Sequence, residues 1–155
     1  MKLSEIVQEN LIFSDLKGNN VPNILREFAE NICAAGKFGD PKSLYDRLLQ
    51  RENQESTGIG NGVAIPHCKV ELLNEVILSV GYSRAGVDFK AIDGNRTYFF
   101  FLVLSPASSS VLHLRALAAL SRLLKSPTFV AQLQNQPPPS ELLKLIRDEE
   151  NTLVK

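Results

Sequence analysis

Two histidines, one arginine and one glycine-rich stretch are the parts of this chain whose residue types and spacing suit chemistry. His67 closes the segment Ser56-Thr57-Gly58-Ile59-Gly60-Asn61-Gly62-Val63-Ala64-Ile65-Pro66-His67, directly after a proline. An imidazole has an unperturbed pKa of about 6.5, so near neutral pH it carries a nitrogen lone pair able to attack phosphorus or take a proton. An isolated histidine in a surface loop is usually just hydrogen-bonded. The placement of His67 after Pro66 favours presentation for chemistry instead. His113, the other histidine, falls in the first turn of a helical pattern after an apolar run. Ligand sites in α/β sheets gather at such strand-to-helix junctions, where unpaired N–H groups favour anions. His113 equally fits a half-buried position beside Leu114 and Leu117. Arg51 ends a helical pattern just before the glycine-rich stretch. It suits the carbonyls of that helix end, and, if the chain folds it toward His67, its planar fork suits phosphate oxygens. Spacing does not choose between the two.

Other chemistries fit less well. Gly58-Ile59-Gly60-Asn61-Gly62 matches neither nucleotide-binding fingerprint, because no Gly-Lys-Ser/Thr follows and the segment opens a strand rather than a helix. Cys68 beside His67 raises a thiol nucleophile or a metal site, and with His113 a thiol or zinc hydrolase. Neighbours on a strand point to opposite faces, however, and no paired-cysteine or His-x-x-x-His ligand set is present. Asp88 and Asp93 lie in turn-forming contexts and read as turn formers rather than general acids.

The elements that must position these groups follow from periodicity. Asn61-Gly62 between short apolar-bearing runs predicts a hairpin, since both turn positions take positive φ. Val63 to Ile65 is its second strand, and Pro66, with no N–H for a ladder, is expected to end that strand and send His67 out of the sheet. Upstream, Ser4 is expected to cap a short helix over Glu5 to Gln8, and Leu11-Ile12-Phe13 reads as a strand. Ile24, Leu25, Phe28 and Ile32 recur at helical spacing from Val21 to a stop at Gly36, and Asp40-Pro41 opens a second helix over Leu44, Leu48 and Leu49. Downstream, Val76 to Tyr82 and Tyr98 to Leu104 are continuous apolar runs of strand length, separated by the turn Asp93-Gly94-Asn95, and such runs fit strands covered on both faces. Serines 108 to 110 cap the helix that carries His113. Ser126-Pro127 and Pro137 to Ser140 start two more helices, the last expected to fray from Glu149. Strands interleaved with helices predict an α/β fold with a mixed β-sheet sandwiched between helices.

Length and charge narrow the function. The 155 residues fit a single domain, 1–155, large enough to bury about 68–70% of its unfolded surface. Lys+Arg and Asp+Glu are both 17, so nothing favours nucleic acid or an anionic membrane as partner. Cys33 and Cys68, without Cys-x-x-Cys spacing, fit a reducing cytoplasm. The beginning of the chain lacks the pattern of a secretory signal, and Tyr98 to Leu104, the longest apolar run, is too short to span a bilayer. The expectation is a cytoplasmic protein without membrane insertion.

Residues 56 to 67 resemble the active-site signature of the fructose/mannitol-type enzyme IIA domains of the bacterial phosphoenolpyruvate:sugar phosphotransferase system, including their nitrogen-regulatory branch. The likeness continues through Ala91-Ile92-Asp93-Gly94, Phe101 to Pro106 and Leu112-His113-Leu114, in order, over nearly the whole chain. It implies the enzyme IIA fold. It implies that His67 accepts a phosphoryl group from the phosphocarrier HPr or its nitrogen-branch counterpart, that His113 supports it, and that Arg51 stabilises the phosphorylated state. Transfer of this kind rests on positioning and electrostatics and calls for no metal or cofactor. Two roles follow: a transport component relaying phosphate to a IIB domain, or a regulator whose phosphorylation state selects a protein partner. Thr57 to Gly62 resembles the nitrogen-regulatory and fructose branches more than the mannitol branch, and with no fused IIB or membrane domain in these residues the expectation leans toward the regulator. Three positions depart from the common pattern. Gln54-Glu55 stand where leucine-glycine is usual and add a charge at the hairpin entrance, and Cys68 stands where glycine is frequent, so the backbone after His67 is expected not to need positive φ.

Overall fold

The computed structural model describes residues 1–154. A short 3-10 turn over Leu3–Glu5 leads into β1 (Val7–Phe13), followed by helices α1 (Val21–Ala34) and α2 (Pro41–Gln54). The hairpin β2 (Gly58–Gly60) and β3 (Val63–Ala64) runs on to β4 (His67–Val70), and the two long strands are β5 (Ile77–Val87) and β6 (Thr97–Pro106). Helices α3 (Ser110–Leu124), α4 (Pro127–Leu133) and α5 (Pro139–Val154) complete the described chain. The strands form one mixed sheet in the order β1-β5-β6-β3-β2, with β4 also on β6. β1 runs parallel to β5, β5 antiparallel to β6, and β3 and β4 parallel to β6.

β6 shows why its sequence has no polar face. Phe99, Phe101 and Val103 point into a core shared with α3, α4 and α5, while Phe100, Leu102 and Leu104 point into a second core shared with α1 and α2. Alternate residues leave opposite faces of a strand, so a sheet with helices on both sides demands an unbroken apolar run. The expected mixed sheet between helices is the fold. Four of the helices begin on side-chain caps, Asn20, Asp40, Ser109 and Ser126, each accepting an N–H of the first turn. Among the described residues no helix is long and apolar enough to cross a membrane.

Three expectations are corrected. Glu5 to Gln8 is not a helix: the chain makes one 3-10 turn and enters β1 at Val7. Ser4 makes no side-chain cap there, and its backbone N–H is donated instead to Glu150 Oε1 at 2.9 Å. The same contact explains the second correction. α5 continues through Glu150, whose buried carboxylate also accepts the N–H of Leu3, so the last helical turns are pinned to the start of the chain rather than frayed. Third, His67 does not leave the sheet. Val63 pairs with Phe99 and His67 with Val103, the same register on both sides of Pro66. Pro66 removes one N–H from the ladder, but its carbonyl still accepts Val103 N–H at 2.9 Å, and pairing resumes at once.

The hairpin is held from the side by the loop before β6. Gly58 C=O accepts Ile92 N–H at 3.2 Å, and a Cβ on Gly58 would lie 2.8 Å from Ala91 Cα. Because backbone rather than a flexible side chain stands in the way, Gly58→Ala is expected to cost about 1–3 kcal/mol, read as a lowered urea midpoint with unchanged slope.

Candidate active site

Each proposed residue is set in place by a different element. Asn61 (φ 57°) and Gly62 (φ 79°) make the tight turn that their sequence predicts. Asp93 braces it, accepting Asn61 N–H at 3.0 Å through one carboxylate oxygen and Asn95 N–H at 3.0 Å through the other. Asp88 likewise accepts Lys90 N–H at 3.1 Å, so both carboxylates are turn formers. Returning from the turn, Ile65 N–H donates to Thr57 C=O at 3.0 Å. Two residues on, His67 Nδ1 lies 2.8 Å from Ile65 C=O. A carbonyl only accepts, so Nδ1 carries the proton and, in the neutral ring, the lone pair is on Nε2.

His113 reaches the same place from α3. Its ring centroid lies 5.4 Å from that of His67, with 50° between the ring planes. His113 is 9% exposed, and its Nδ1 lies 2.7 Å from Oγ of Ser105, a fully buried residue near the end of β6. Where the serine hydroxyl donates to Nδ1, Nε2–H of His113 is left as a donor; where it accepts from Nδ1–H, Nε2 carries the lone pair. His113 is therefore buried and stands against the other imidazole.

Arg51 takes the helix-end position that its spacing allowed. Its Nη1 donates to Glu55 C=O at 2.8 Å, at the C-terminal cap of α2. Its positive charge is near enough to both imidazoles to disfavour their protonation. The structure thus brings His67 and His113 together, with the charge of Arg51 acting on both.

The electrostatics favour neutral rings. Burial pushes the His67 pKa below its ordinary value; the Ile65 hydrogen bond opposes this and Arg51 adds to it. His113 is lowered by burial first, then by the charges of His67, Lys69 and Arg51. A lone pair is therefore available at physiological pH. Cys68 is buried and its thiol is pushed up to about 12 by burial, so it stays protonated and is a poor nucleophile. Its backbone is not among the positive-φ residues, in keeping with the departure from glycine. Among the described residues no three His, Cys, Asp or Glu side chains come together as a possible metal site.

Sequence reasoning missed three contributors. Ser105 sits at the end of an apolar run with no partner nearby in sequence, and only the fold places α3 over it. Lys69, two residues after His67 on the same strand face, donates from Nζ to Ser110 Oγ at 3.1 Å and ties β4 to the start of α3. Glu52 is buried at the end of α2 and holds Thr57 by both its N–H (2.6 Å) and its hydroxyl (2.7 Å). The only signal for Glu52 was a charge amid the apolar spacing of a helix, which reads as an exposed face.

The pattern of the family described as phosphoenolpyruvate-dependent sugar phosphotransferase system, EIIA 2, matches residues 5–149. The chain belongs to this family. It is 27% identical over 151 residues to the nitrogen regulatory protein of Pseudomonas aeruginosa, covering 97% of this chain and 98% of that one. It is 29% identical over 150 residues to the fructose-specific EIIABC component of Bacillus subtilis, covering 97% of this chain but spanning only 24% of that protein's length. The crystal structure of nitrogen regulatory protein IIA-Ntr from Neisseria meningitidis superposes with a TM-score of 0.85 at 23% identity, over 93% of this chain and 98% of that one. The fold is that of the enzyme IIA structures, as the signature around His67 implied.

Proposed function

We propose that this chain, read as one enzyme IIA domain over 1–155, is a cytoplasmic phosphocarrier that accepts a phosphoryl group on Nε2 of His67. The observation that carries the reading is the 2.8 Å contact of His67 Nδ1 with Ile65 C=O, which leaves Nε2 as the nucleophile beside a second imidazole and a guanidinium. In the reaction the N–P bond of a donor phosphohistidine breaks as the Nε2–P bond forms, while Nδ1 keeps its proton on Ile65. Arg51 and His113 hold the phosphoryl oxygens, each charge-assisted hydrogen bond contributing about 1.5–3 kcal/mol. The donor is an HPr-like phosphocarrier or its nitrogen-branch counterpart. The phosphoryl group adds about −1.5 to −2 charge at the site, enough to change which protein docks. A regulatory role is supported by the full-length likeness to a nitrogen regulatory protein. The fructose-specific relative supports a second reading, a transport component relaying phosphate to a IIB domain.

Incubation with phosphoenolpyruvate, enzyme I and the phosphocarrier, followed by intact mass, is expected to show one acid-labile phosphoryl group. No labelling with either donor type would remove the phosphocarrier reading. Rapid onward transfer to a IIB domain would favour transport over regulation.

The lowered imidazole pKa values set the pH dependence. Because the folded values lie below the free value of about 6.5, the neutral His67 persists under mildly acidic conditions. Single-turnover uptake is expected to stay level from neutral pH down to about 6.5 and to decline only below it. The same depression contributes stability that is present above the unfolded value and is lost as the pH falls through the lowered folded values. A decline centred above about 6.5 would contradict the neutral-ring assignment.

A further inference from the structure

Glu52 and Glu150 are the two buried carboxylates of the described chain. Glu150 ties the first residues to α5, whereas Glu52 spends both oxygens on one residue of the hairpin. It is 7% exposed, forms no ion pair among the described residues, and has its pKa raised by burial against the opposing pull of the Thr57 hydrogen bonds. A buried carboxylate without an ion pair opposes folding, and an apolar contact would dock the hairpin at lower cost. What the carboxylate adds is two acceptors in one plane, aimed at both donors of Thr57.

From Thr57 the hydrogen bonds continue without a break to the proposed nucleophile. Thr57 C=O accepts Ile65 N–H at 3.0 Å, and Ile65 C=O accepts His67 Nδ1–H at 2.8 Å. Arg51, the preceding residue of α2, holds Glu55 C=O on the other side of the same short turn. The last turn of α2 therefore clamps the Glu55-Ser56-Thr57 segment at both ends, placing the guanidinium and the imidazole in one rigid frame.

We propose that Glu52 is a positioning residue for His67: by fixing Thr57, and through it Ile65, it holds the imidazole in the tautomer with the lone pair on Nε2. Its kinetic consequence rests on the phosphocarrier reading; its structural consequence does not.

The test measures ring nitrogen NMR shifts of histidine-labelled protein together with single-turnover phosphoryl uptake. In the parent, His67 shows a protonated Nδ1 and an unprotonated Nε2 at neutral pH. Glu52→Ala is expected to average the two His67 tautomers, leave His113 on Ser105 unchanged, and slow uptake by about 10–100-fold. Glu52→Gln is expected to restore both readouts, because its amide oxygen can accept Thr57 N–H while its N–H donates to Thr57 Oγ1. Should Glu52→Ala not fold, Thr57→Val, which removes only the hydroxyl contact, is expected to shift the His67 tautomer part of the way. An unchanged His67 tautomer in a folded variant overturns the proposal. So does an equal disturbance of His67 and His113, or a Gln variant as impaired as the Ala variant. If the parent takes up no phosphoryl group, the phosphocarrier reading fails and the tautomer measurement still decides the role of Glu52.

Discussion

His67→Ala is expected to take up no phosphoryl group from the donor at any incubation time, whereas His113→Ala is expected to take it up slowly, by about 10²–10³-fold. The difference follows from what each ring offers. His67 presents a nitrogen lone pair fixed by the Ile65 carbonyl. His113 has one nitrogen engaged by buried Ser105 and, in the proposed reaction, uses the other as a donor to charge that develops on phosphorus. The neighbouring Cys68 does not replace His67 as nucleophile, because its thiol, pushed up to about 12, stays protonated and faces the core. His67 belongs to neither apolar core, so its removal is expected to leave cooperative unfolding intact. A time course by intact mass reads both variants. Labelling of His67→Ala at the parent rate would move the acceptor role to another residue, and an unlabelled His113→Ala would make His113 indispensable rather than supporting.

Phe100→Ala is expected to lower the unfolding free energy by about 3–5 kcal/mol, a large part of the 5–15 kcal/mol or so typical of a domain. The ring is fully buried between the sheet and α1, edge-on to Phe28 at 6.3 Å and to Phe89 at 5.1 Å between centroids. Its register partners on the two neighbouring strands are Gly81 and Ala64, which have no side-chain atoms to move into the space. Collapse is therefore limited and most of the cavity remains. Urea denaturation should show a reduced midpoint, and thermal unfolding a fall on the order of 6–20 °C. A loss below about 1 kcal/mol would mean that Leu16 and Phe28, which crowd Gly81, repack over the gap.

Much of the fold was legible because its signals are local. Helix caps at Asp40, Ser109 and Ser126 act within three residues, and the Asn61-Gly62 turn acts within two. The apolar run of β6 required cover on both faces, and both covers are present. The misread segments were those decided by distant partners. Residues 5 to 8 look helical by themselves, but β5 offers Val7 a parallel ladder and Glu150 takes the backbone donors of Leu3 and Ser4. Pro66 looks like a strand end, yet β6 holds the chain in register across it.

The sequence by itself determined the hairpin that carries His67, the helix start that carries His113, and the family to which both belong. Each depends on residue types a few positions apart, where backbone sterics and short-range hydrogen bonds act. Tertiary structure decided that the two imidazoles stand together under the charge of Arg51, which nitrogen of His67 holds its proton, that Glu52 holds Thr57, and that Ser105 meets His113. Those outcomes depend on contacts between segments that meet only when β4 and β6 pair and α2 and α3 pack against the sheet. Burial, which sets the protonation of His67, His113 and Cys68, likewise exists only in the folded chain.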